Sequence, residues 1–109
     1  MSVFYVAQWS VRPADAPACE EALAVISKHI QESHPGIKSI QTFRQAWGPQ
    51  PRRAYIWYEE YESLTAMENE KETPECAVVW KPIEEISLEG TFFGSVWSDP
   101  NRSLWFSRK

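Results

Sequence analysis

Residues 63–86 read SLTAMENEKETPECAVVWKPIEEI, and their punctuation decides the fold. Ser63 stands where a helix N-cap belongs, and Thr73-Pro74-Glu75 gives the same signal a second time. After it, Cys76, Val79, Trp80 and Ile83 fall at spacings of three and four, an apolar stripe of helical period. The segment reads as one helix broken into two pieces. Pro82 lies inside the second piece and is expected to kink or end it one turn earlier, because proline has no N–H to contribute. Strand-like runs flank the helix, Tyr55-Ile56-Trp57-Tyr58 before it and residues 91–97 after it. Together they make the second half of a β-α-β-β-α-β chain.

The first half follows by working backwards. Residues 54–61 form a third strand, paired as a hairpin with an alternating strand at 37–47 through the breaker-rich turn Gly48-Pro49-Gln50-Pro51. His34-Pro35-Gly36 stops a helix that Asp15 is expected to cap. Within that helix Cys19, Ala22, Leu23, Ile26 and Ile30 form the apolar stripe. The first strand is VFYVAQWSV, residues 3–11, ended by Arg12-Pro13. The expected fold is α+β, a ferredoxin-like protomer with an antiparallel sheet over residues 1–98. Residues 99–109 form a tail whose Leu104, Trp105 and Phe106 should dock on the domain or on a dimer partner.

Composition narrows the partners. With 6 Trp, 5 Phe and 4 Tyr in 109 residues, several strands are apolar on both faces, so the sheet needs cover on both sides. Helices cover one face, and a second copy of the chain is expected to cover the other. The net charge is -4, and ten acidic residues face two basic ones between Glu59 and Glu89, which argues against nucleic acid. No apolar run is long enough to span a bilayer, and no basic segment precedes Arg12, so no membrane role or secretory leader is expected and the cytoplasm is. Cys19 and Cys76 read as reduced, buried small hydrophobes; a reactive thiol is the alternative.

With these elements assigned, the chain resembles the dimeric α+β-barrel superfamily, with its antibiotic-biosynthesis monooxygenase, stress-responsive barrel and NIPSNAP-like groups. The resemblance spans residues 3–97. It is carried by the aromatic strand running into a Ser-Leu helix start, Trp57-Tyr58 through Glu62-Ser63-Leu64, and by Thr73-Pro74-Glu75-Cys76 followed by Trp80. It implies a homodimer with sheets face to face. Haem-degrading members use an Asn on the first strand, a Trp on the third and a His on the last helix; the nearest positions here hold Gln8, Tyr58 and Trp80. Trp80 cannot ligate iron and neither His29 nor His34 lies on that helix, so haem is not expected; the resemblance to cofactor-free oxygenases implies no other cofactor.

The remaining chemistry is sparse. His29 and His34 lie five apart, a spacing that points them to different helix faces, so no metal pair is expected. Glu59 and Glu60 are neighbours on a strand and point to opposite faces, so they cannot work as a carboxylate pair. What remains is Gln8, Arg44, Tyr58 and Trp80, expected at one pocket between sheet and helices with His29 at its edge, with Trp57 and Trp80 as the ligand-binding residues. In a cofactor-independent oxygenase, Gln8 and Arg44 would stabilise oxyanion charge while His29 or Tyr58 moved a proton. The bland alternative makes the rings core, pairs Arg44 with a surface Glu and bonds Gln8 to backbone. The function expected is binding of a hydrophobic or aromatic small molecule, with monooxygenase-like turnover. The competing readings are a non-catalytic stress-type or sequestering barrel, and an interaction module gripping another chain through Leu104-Trp105-Phe106.

Overall fold

A computed structural model describes residues 2–46 and 52–98. The elements run β1 Val3–Val11, α1 Ala16–Ser33, β2 Ile37–Arg44, β3 Arg53–Tyr61, α2 Leu64–Lys71, α3 Pro74–Ile86 and β4 Phe93–Ser98. The strands form one antiparallel sheet in the order β2-β3-β1-β4, so the two central strands are the most aromatic ones. This is the α+β, ferredoxin-like arrangement read from the sequence. The expected turn at 48–51, Trp47 and the tail at 99–109 lie outside the described residues.

Both halves of the broken helix carry the expected caps. The Ser63 side chain accepts from the Ala66 N–H, and that of Thr73 from the Cys76 N–H. Three local expectations are corrected. Asp15 does not cap α1: a 3-10 turn at Pro13–Asp15 leads into the helix, and the Asp15 carboxylate accepts from Arg12 Nε instead. Pro82 does not end α3, which runs on to Ile86. Its ring lies on the solvent side with Val78, where water can serve the carbonyl left without a donor. β4 starts two positions later than expected because Thr91 turns inward, its hydroxyl accepting from the Ser10 N–H and donating to the Leu88 carbonyl.

Alternation along the strands divides the sheet into two faces. The helix-facing side of β1 and β3 presents Val3, Ala7, Trp9, Val11, Tyr55, Trp57 and Tyr61, all buried. Against it pack Cys19, Leu23, Ile26 and Ile30 of α1 and Cys76, Trp80 and Ile83 of α3. Each of the larger aliphatic side chains stabilises the fold by about 1.5–3 kcal/mol through burial. Trp80 meets Trp57 and Trp9 edge-on, with centroids 5.2 and 5.9 Å apart, while Trp9 stacks on Tyr55 at 5.8 Å. Cys19 and Cys76 are buried and free; burial pushes the Cys76 thiol up to about 12, so it is inert at neutral pH.

The opposite face carries Phe4, Val6, Gln8, Ile56, Tyr58, Phe43, Phe93 and Trp97, placed side by side by the strand register. Among the described residues the helices pack on the other face, not on this one. Phe43, Phe93 and Trp97 are each more than half exposed. Gly94 is required where it stands, because a Cβ there would meet the Tyr5 hydroxyl at 2.5 Å. Among the described residues no helix is long and apolar enough to cross a membrane.

Candidate functional site

A cleft opens where α1 passes over the β2 edge of the sheet. Glu20, Leu23, Ala24 and Ser27 come from α1, Ile40, Thr42 and Arg44 from β2, and Tyr55 and Trp57 from β3; they enclose about 480 Å³. The cleft exists because α1 packs against α3 over the central strands and leaves the helix side of β2 thinly covered. The register Thr42 opposite Trp57 and Arg44 opposite Tyr55 brings two aromatic and two polar side chains to one face.

Its polar groups are tied together. Arg44 Nη1 and the Tyr55 hydroxyl both donate to Glu20 Oε2, each at 2.8 Å. The Tyr55 hydrogen bond, with the Arg44 charge adding to it, holds the Glu20 carboxyl below the ordinary carboxylate range. Burial and the Glu20 carboxylate push the Tyr55 hydroxyl well above the ordinary tyrosine range, so it stays neutral and donates. Arg44 and Glu20 are both about half exposed, and their ion pair counts little for stability.

The six residues singled out from the sequence do not meet at one pocket. Arg44 and Trp57 line the cleft. Trp80 packs behind Trp57 in the core and does not reach the cleft. Gln8 and Tyr58 lie on the far face, where they share a groove of about 360 Å³ with Phe4, Val6, Ile56 and Trp97. Strand parity is the reason: Gln8 and Tyr58 are one residue out of phase with the inward set Ala7, Trp9 and Trp57, and a one-residue step changes face. Gln8 and Arg44 border a smaller depression of about 300 Å³ at the end of the hairpin.

The histidines also differ from expectation. His34 lies past the end of α1 as its C-cap, in extended conformation, so helical spacing no longer governs it. Its ring folds back to 5.9 Å from that of His29. No group of three or more metal-ligating side chains occurs among the described residues.

A second cluster escaped the sequence reading. Glu59 shares the inward face of β3 with Trp57 and Tyr61 and is fully buried. It accepts from Trp57 Nε1 at 2.8 Å, from the Tyr61 hydroxyl at 2.8 Å and from Lys71 Nζ at 2.6 Å. Glu70, also buried, lies 3.1 Å from Lys71 Nζ and 3.0 Å from the Tyr61 hydroxyl. Its other oxygen, Oε1, lies 4.0 Å from His34 Nε2, and neither atom has a hydrogen-bond partner among the described residues. Lys71 Nζ also sits 4.0 Å from the centre of the Tyr5 ring. Burial works against the Lys71 charge, but Glu59 and Glu70 outweigh it and raise the ammonium above its ordinary range. Burial and the same two carboxylates push the Tyr61 hydroxyl far up. Glu59 and Glu60 do point to opposite faces, Glu60 meeting Ser2 and Ser39, while Glu59 shares Lys71 and the Tyr61 hydroxyl with Glu70 on α2. The signal was an acidic residue in phase with Tyr55, Trp57 and Tyr61, since an inward carboxylate must find a partner.

No family model and no curated protein matches the sequence. Solved structures do match the fold. A Caulobacter crescentus protein named as a candidate antibiotic biosynthesis monooxygenase superposes with a TM-score of 0.77 at 18% identity, over 92% of this chain and 91% of its own. A similarly named protein from Nitrosomonas europaea gives 0.75 at 17% identity, over 93% and 92%. SnoaB from Streptomyces nogalater, a cofactor-independent oxygenase solved as a point mutant, gives 0.71 at 15% identity, over 92% and 94%. The chain therefore has the ferredoxin-like fold of these proteins. At such identities the likeness extends to the fold alone.

Proposed function

We propose that the protein binds a small planar aromatic compound in the α1–β2–β3 cleft, as a homodimer built on the far face of the sheet, and that it acts as a cofactor-independent monooxygenase-like enzyme. The observation that carries the binding reading is the cleft itself. It has apolar walls at Leu23, Ala24, Ile40 and Trp57, the hydroxyls of Ser27 and Thr42, and one charged cluster, Glu20 with Arg44 and Tyr55. In the catalytic version Glu20 receives a proton from an acidic position of the substrate and Arg44 stabilises the resulting anion. Dioxygen is the second substrate: one oxygen atom enters the aromatic compound in place of two hydrogens, and the other leaves as water. Gln8 and Tyr58 serve the dimer interior on the far face, with Phe43, Phe93 and Trp97 supplying the apolar area. His29 stands outside the cleft in this reading and takes no proton from its ligand.

A second reading, binding without turnover, has its own support. Arg44 and Tyr55 are spent on Glu20, whose carboxyl is held low and is a weak base. A thermal-shift screen of planar phenols and hydroxyquinones, followed by oxygen-uptake measurements on the hits, separates the two. A ligand at 100 times its Kd stabilises by about 2.7 kcal/mol. That shift should vanish in Ala24→Trp, which fills the cleft, and weaken in Arg44→Ala. Hits with oxygen uptake support the enzyme and hits without it support the sequestering protein. A panel with no hit, or hits insensitive to Ala24→Trp, removes the cleft as the site.

A further inference from the structure

A buried carboxylate is a poor stabiliser, which makes Glu59 informative. Removing it and its ammonium partner from water costs more than their attraction returns unless the geometry is excellent, and apolar replacements of such pairs are often neutral or better. Stability alone therefore does not account for a carboxylate at this inward position. What Glu59 does that an apolar residue could not is accept the indole N–H of Trp57, at 2.8 Å from Oε2. Trp57 is a wall of the cleft, whereas Glu59 itself does not line it. The other oxygen of Glu59 is held by Lys71 Nζ and the Tyr61 hydroxyl, so the carboxylate cannot turn. Trp80, edge-on to Trp57, blocks the ring from behind.

We propose that Glu59 is a positioning residue for the cleft: anchored by Lys71 and Tyr61, it fixes the Trp57 indole in the one orientation that presents a flat wall to an aromatic ligand. This rests on the cleft being the binding site, but half of its test needs no ligand. A buried N–H bonded to a charged acceptor exchanges with solvent only when the structure opens. In the wild-type protein the Trp57 indole N–H, assigned by its loss in Trp57→Phe, is to exchange as slowly as the most protected core amides. Glu59→Gln keeps the shape and removes the charge; Glu70→Gln removes the same charge from the same cluster without touching Trp57.

Glu59→Gln is expected to speed exchange of that N–H by about tenfold or more relative to core amides of the same variant. It should also weaken binding of 8-anilinonaphthalene-1-sulfonate by about the same factor, counting only the binding that Ala24→Trp abolishes. Glu70→Gln should lower the melting temperature while leaving both readouts within about twofold of wild type. Fast exchange in the wild-type protein overturns the proposal whether or not any variant folds. So does an unchanged Trp57 signal in Glu59→Gln, or an equal change in Glu70→Gln. Absence of cleft binding by the probe sinks the cleft reading instead, and leaves the exchange measurement to decide the role of Glu59.

Discussion

Lys71→Met is the perturbation that tests the buried cluster most directly. Lys71 Nζ bridges Glu59 at 2.6 Å and Glu70 at 3.1 Å, and neither carboxylate side chain has exposed surface. Methionine fills nearly the same volume and keeps the apolar stem, so the change isolates the ammonium. Breaking a buried pair from one side costs about 3–5 kcal/mol, because the remaining charge is left uncompensated. Lys71 keeps 21% of its side chain exposed, which favours the lower end of about 3 kcal/mol. At ~4–8 °C per kcal/mol for a domain of this size, the melting temperature should fall by ~12–24 °C. Adding Glu59→Gln should recover part of the loss, giving a coupling of about 1 kcal/mol or more in a double-mutant cycle. Urea denaturation at neutral pH measures both. A single variant within about 0.5 kcal/mol of wild type at neutral pH, or two losses that simply add, would refute the reasoning.

Three further outcomes are expected. Lys71 is raised above 10.5 and Tyr61 above 10.0, so both contribute stability that is complete below those values and lost as the pH rises through the folded ones; alkaline unfolding monitored by circular dichroism should begin near pH 10 and shift in Tyr61→Phe, and stability flat through that range would contradict the cluster. Gly94→Ala should cost about 1–3 kcal/mol in urea, with part of the loss recovered by Tyr5→Phe because the Tyr5 hydroxyl is the first atom met, and a neutral Gly94→Ala would show that Tyr5 does not lie there. Trp97→Glu places a charge on the uncovered face and should shift light scattering from dimer to monomer; a wild-type protein that is monomeric at micromolar concentration removes the dimer.

The resemblance to solved folds was legible because it depends on local signals. The Ser63 and Thr73 caps, the α1 stripe and the β1 run each act through neighbours in sequence, and each element forms where its residues said it would. The site was less legible. Gln8 and Tyr58 were grouped with Arg44 and Trp57 by residue type, but strand parity sends them to opposite faces. Parity was itself readable, and the grouping neglected it. His34 was placed on a helix that stops at Ser33, so its approach to His29 had no periodicity to reveal it.

The sequence by itself determined the order of helices and strands, the starts of α2 and α3 at their caps, which residues share a strand face, and that an apolar sheet face would be left over. These follow from backbone periodicity and capping, whose range is one or two turns. Only the tertiary structure decided that Glu59 on β3 meets Lys71 on α2 and shares it with Glu70, and that Glu20 crosses from α1 to bind Arg44 and Tyr55. Those contacts depend on how far α1 and α2 sit from the sheet and at what angle. Packing of whole surfaces sets such distances, and no single stretch of chain encodes them.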